Sequence, residues 1–201
     1  MNKLSTAKQV AVVAALVEGN SIRATARMTN VSKPTILKLL AQLGHVCAAY
    51  HSAVVRDLRS KRIECDEIWQ FCYAKAKNVP EDKRGTFGYG DVWTWTALDS
   101  DSKLIVSWLV GSRDAGSAYE FMQDVASRIS TRVQLTTDGH RVYVNAVEDA
   151  FGADVDYAML VKIYGPAMLK PKTRYSPPEL IGIEKNPSMG DPDFDHVSTR
   201  L

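Results

Sequence analysis

Two rhythms of apolar and polar positions divide the chain. Before residue 44 the apolar residues recur every three to four positions, which predicts helices. Thr6-Ala-Lys-Gln9 has capping-box spacing, and Val10, Val13, Ala14 and Val17 follow until Gly19 stops the run. Ser21 is placed to cap a second short helix reaching Met28, and Asn30 suits the left-handed position after it. Ser32 then caps a third helix, Lys33 to Leu43, with Pro34 in its first turn and Gly44 just past its end. Ile36, Leu39 and Leu40 are expected to face inward. Residues 45–61 mix apolar and basic positions without a clear stop and read as a connecting helix or linker.

From residue 62 the rhythm changes to short runs rich in β-branched and aromatic residues, bounded by turns. Residues 62–73, 92–98 and 104–110 read as strands, the last two joined as a hairpin through Asp99-Ser-Asp-Ser-Lys103. Asp114 caps a helix whose apolar face is Ala118, Phe121, Met122, Val125, Ala126 and Ile129. A strand from Val133 to Asp138, a helix from His140 to Phe151 and a strand from Val155 to Ile163 follow. The segment 74–90 reads as a loop, and so does everything from Ser176 onward, where prolines and glycines recur. The pattern therefore predicts an α/β chain: a small all-α part at 1–44, a linker at 45–61 and a mixed-sheet domain at 62–201.

Charge adds a polarity that the overall balance of +2 conceals. Residues 1–62 carry ten Lys/Arg against two acids, or +8, and the remainder fifteen against twenty-one, or −6. A basic head on an acidic body suits a nucleic-acid partner, because neutralising phosphates supplies affinity whatever the base sequence. The spacing Ala26, Asn30, Val31, Ile36 is that of a helix-turn-helix. In that reading Ser32, Lys33, Thr35 and Lys38 on the third helix meet bases or phosphates of double-stranded DNA, and Arg23 and Arg27 reach the backbone. A plain three-helix interaction module is the alternative. Cys47, Cys65 and Cys72 form no Cys-x-x-Cys pair, which argues against a disulfide framework or zinc finger and fits a reduced cytoplasm. No run approaches the roughly 18 apolar residues of a membrane span.

The chemistry that stands out is carboxylate placed within strands. Asp66 and Glu67 interrupt the run Ile63 to Tyr73, and Asp138 closes the run Val133 to Asp138. An acid in an apolar strand costs several kcal/mol to desolvate unless it is paired or binds a cation. Two strands delivering Asp66 and Asp138 to one place would make an oxygen-ligand site for Mg²⁺ or Mn²⁺. Strand alternation is expected to turn Glu67 away from it. Trp69 is assigned to the Asp66 face and to core packing. Asp99 and Asp101 are accounted for by turn chemistry. Lys162, Lys170, Lys172 and Arg174 form a basic stretch suited to a DNA groove or to a solvated loop.

The body, from Cys65-Asp-Glu-Ile-Trp69 through the hairpin and its helix to Thr137-Asp-Gly-His140 with Tyr143 and Asp193-Phe-Asp-His-Val-Ser-Thr199, resembles the DDE transposases of the insertion-sequence-one group. The resemblance covers nearly the whole chain. It implies a ribonuclease-H-like fold, Mg²⁺ or Mn²⁺ held by Asp66 and Asp138, DNA strand cleavage and transfer at transposon ends, and a homo-oligomer. The family's third acid sits on a helix soon after the His-Val-Ser-Thr stretch, whereas here Thr199 is followed by Arg200-Leu201. Glu148, Asp149, Glu179 and Glu184 remain, none in the family's surroundings. The resemblance thus implies a C-terminally truncated, largely inactive transposase, with a non-catalytic DNA-binding repressor as the alternative.

Overall fold

The computed structural model describes residues 4–86, 88–165 and 179–199. The chain divides into two compact units, Met1–Val55 and Arg56–Leu201.

In the first unit, α1 (Thr6–Val17), α2 (Ile22–Thr29) and α3 (Lys33–Val54) close over Val12, Val31 and Ile36. Ser21 and Ser32 cap α2 and α3, and Asn30 takes the left-handed backbone at φ 52°, all as expected. Four details differ. The N-cap of α1 is Ser5, and the Gln9 side chain donates to the Leu4 carbonyl instead of closing a box with Thr6. The buried face of α1 is Val12 and Ala15, while Val10 and Val17 are exposed. Leu40 is likewise exposed, leaving Ile36 and Leu39 to face the core. Finally, α3 passes through Gly44 to Val54. Gly ends a helix through a left-handed φ, which Gly44 does not adopt, and the residues after it are compatible with a helix.

The second unit is a six-stranded mixed sheet of order β3-β2-β1-β4-β5-β6. Its strands are β1 (Arg62–Cys72), β2 (Gly90–Asp99), β3 (Ile105–Gly111), β4 (Val133–Asp138), β5 (Val155–Tyr164) and β6 (Leu180–Met189). The first three form an antiparallel meander, β1, β4 and β5 run parallel, and β6 returns antiparallel on β5. With α4 (Ala115–Arg128) and α5 (Val142–Phe151) between the parallel strands, this is a ribonuclease-H-like sheet. One face carries Ile63, Cys65, Trp95, Leu135 and Tyr157 into the helices, which contribute Phe121, Met122, Val125 and Tyr143. The opposite face holds Ala158 and Leu160 under Val197. There the hydroxyls of Ser100 and Ser198 both donate to the buried Glu64 carboxylate, at 3.0 and 2.7 Å.

The strand β6 corrects the reading of a loop from Ser176 onward. It lies at the sheet's edge, where Pro187 costs no ladder hydrogen bond on its open side, and its Leu180, Ile181 and Ile183 are exposed. Proline and glycine in the sequence hid an edge strand with no buried face to betray it.

Candidate metal centre

The topology opens a notch at the centre of the sheet. The pairing of β1 with β4 ends at Glu64↔Thr136, after which the flank of β1 is uncovered. Continuing the register places Asp66 opposite Asp138, on the same face, as the sequence predicted. Glu67 alternates to the helix-side face, opposite Trp95. Yet one carboxylate oxygen from each of Asp66, Glu67 and Asp138 lies within 4.8 Å of the other two. The expectation that Glu67 points away is therefore corrected. Alternation fixes the direction of Cβ, but beside an uncovered strand flank a long Glu side chain can still reach the notch.

Local bonds aim each carboxylate. The Glu67 amide donates to Asp66 Oδ1 at 2.8 Å, and the His140 amide donates to Asp138 Oδ1 at 2.8 Å. Arg113, in the turn between β3 and α4, spans the notch. Its Nη2 donates to Glu67 Oε2 and to Asp138 Oδ2, each at 3.0 Å, and Nε adds a second bond to Glu67 at 3.2 Å. The turn is held by Trp95 Nε1 donating to the Ser112 carbonyl and by Asp114 capping α4. The guanidinium lies over the Trp93 ring, 4.8 Å from its centroid.

Sequence reasoning missed Arg113. The signal was an arginine one residue before the helix cap, ambiguous until a register brought it opposite two acids. Trp69, three positions beyond Asp66, falls on the Glu67 face and is 38% exposed, so it does not pack in the core.

The electrostatics are those of a site with negative charge in excess. Burial raises the Asp66 carboxyl above its ordinary value, and Asp138 raises it further against the pull of the Glu67 amide. Burial likewise raises Glu67, whose side chain is only 1% exposed, while the neighbouring Tyr143 hydroxyl and Arg113 pull it down. Even so, Glu67 Oε1 and the Tyr143 hydroxyl are buried without a well-formed hydrogen bond, as is His140 Nε2. Burial, and then Arg113, lower the His140 imidazole, which favours its neutral form. Three hard oxygen donors within reach of one point match the preferences of Mg²⁺ or Mn²⁺. Asp66, Glu67 and Asp138 are the residues that could hold such an ion.

The other candidates fall as follows. Asp99 accepts from the amides of Asp101 and Ser102, and Asp101 pairs with Arg62, as turn chemistry predicts. Glu148 and Asp149 are exposed on α5, where Asp149 accepts from Gln123, and Glu184 is exposed on β6. In the first unit, Arg23, Arg27, Ser32, Lys33, Thr35 and Lys38 are all exposed. Ser32 Oγ is engaged as the cap of α3 and lies 2.8 Å from Thr35 Oγ1. Lys162 is exposed on β5, and Lys170, Lys172 and Arg174 lie outside the described residues.

Neither a family model nor a curated protein matches the chain. Among solved structures it is similar to a piggyBac transposase synaptic complex with hairpin DNA, at 12% identity and TM-score 0.34, covering 60% of this chain and 27% of that one. It is also similar to the Mos1 strand transfer complex, at 12% identity and TM-score 0.33, covering 78% of this chain and 59% of that one. The chain thus spans less than two thirds of the length of either, and neither likeness bears on activity.

Proposed function

We propose that this chain is a DDE transposase of the insertion-sequence-one group, binding double-stranded DNA and cutting and joining it with Mg²⁺ or Mn²⁺. The observation that carries the reading is the meeting of Asp66, Glu67 and Asp138 in one notch, their carboxylate oxygens within 4.8 Å of one another. A divalent ion there would lower the cost of deprotonating the attacking water or 3′-hydroxyl and of charge on the leaving oxygen. Asp66 and Asp138, each fixed by a backbone amide, direct their remaining oxygens inward. Glu67 supplies a third carboxylate, the part that the resemblance assigns to a later helix. The helices flanking the notch keep water off its inner wall through Tyr143, which is fully buried.

Residues 1–44 serve as a helix-turn-helix head with Lys33 and Lys38 toward DNA. Residues 45–61, the first part of which continues α3, link it to the catalytic domain at 62–201. Pairing two transposon ends calls for a homo-oligomer.

The test is nicking of a labelled transposon-end duplex by the full chain. Metal-dependent 3′-end nicking that Asp66→Asn and Asp138→Asn each abolish supports the reading. DNA binding with no cleavage in Mg²⁺ or Mn²⁺ favours the repressor instead.

A further inference from the structure

We propose that Arg113 is a resident counter-cation of the acid notch, whose guanidinium a divalent metal ion must displace from Glu67 and Asp138 in order to bind. The inference rests on reading the notch as a metal site and adds how that site is regulated. A single guanidinium nitrogen, Nη2, contacts both carboxylates at 3.0 Å, so the arginine's charge already sits between two of the three acids that would hold a metal. A +2 ion placed among the three acids would stand within a few ångström of this +1 group. Repulsion at that distance is strong in a partly buried site, so ion and guanidinium exclude one another.

Arg113 does not neutralise the notch fully. Arg113 bonds two of the three carboxylates and gives Asp66 none, and Lys162 acts on Asp66 only through its charge, so negative charge remains in excess. The arginine therefore suits a holding role: it limits repulsion among the acids while leaving room for a more highly charged partner. It also has a way out, because in the bridging position, against Trp93, its side chain is already about one-third exposed. Displacement needs only a side-chain rotation toward solvent, with no change in the β3–α4 turn. Because the guanidinium lies against an indole, its departure has an optical signature.

The experiment titrates Mg²⁺ into the full chain, reading affinity by calorimetry and displacement by intrinsic tryptophan fluorescence. The proteins are the wild type, Arg113→Gln, Arg113→Lys and Trp93→Phe. In the wild type, binding is expected to change the fluorescence, and in Trp93→Phe to proceed with that change removed. Arg113→Gln is expected to bind Mg²⁺ roughly tenfold tighter or more, since the competing charge is gone. Arg113→Lys, which keeps the charge without the planar fork or stack, should fall between them and guards against misfolding of the neutral variant. Equal affinities in wild type and both Arg113 variants, or binding without a Trp93 signal, would overturn the displacement while leaving the metal site standing. Failure of every variant to bind Mg²⁺, with folding verified by circular dichroism, would overturn both.

Discussion

Asp66 shows how one side chain can report on the whole site. Burial and Asp138 raise its carboxyl, and burial raises Glu67, so the folded chain holds protons there more tightly than the unfolded chain does. The sign follows from linkage: a carboxyl raised by folding favours the folded state most below its unfolded value, near 3.8 for Asp66 and 4.5 for Glu67. That contribution is lost as pH climbs through the raised values. Without metal, the wild type should lose stability over this window relative to Asp66→Asn, and at pH 7 the variant should melt higher. A rise of 2–4 °C would correspond to roughly 1 kcal/mol for a chain of this size. Thermal melts from pH 4 to 7 check it, and Mg²⁺ should close the gap by stabilising the wild type alone. An unchanged difference across pH would mean that the notch carries no excess charge.

At the scale of elements, α3 poses a question that mutation can separate. Ser32 falls among the residues expected to meet DNA but is engaged in capping, so Ser32→Ala should cost about 0.5–2 kcal/mol of stability in the first unit. Its effect on DNA affinity should be small once measured well below the melting temperature. Lys33→Ala with Lys38→Ala should do the opposite, leaving the melt unchanged and weakening DNA binding. The log–log salt slope should shrink by roughly 0.9 for each phosphate no longer neutralised, as fluorescence anisotropy across a salt series would show.

The elements also show what a sequence can convey. Caps and turns were legible at Ser21, Asn30, Ser32 and Asp114 because their chemistry is local. Strands β1 to β5 were legible because each has a buried face. Strand β6 was not, since its exposed edge carries no alternation with a core, and the buried face of α1 was misplaced because valines and alanines lie all around that helix. The two aspartates could be paired from strand order alone. The reach of Glu67 and the bridge by Arg113 depend on where β4 stops pairing with β1, which no local pattern encodes.

At the scale of the whole molecule, a basic helical unit is joined to an acidic sheet unit whose central notch gathers three carboxylates. The central claim is that this notch is a divalent-metal centre. The most direct measurement is anomalous diffraction at the manganese edge from crystals of the full chain soaked in Mn²⁺. A peak is expected within coordination distance of Asp66, Glu67 and Asp138, about 2.0–2.3 Å from their oxygens as for hard-cation sites, with Arg113 turned away. The same peak should be lost in Asp138→Asn. Manganese bound elsewhere on the chain, with Arg113 still bridging Glu67 and Asp138, would contradict the claim.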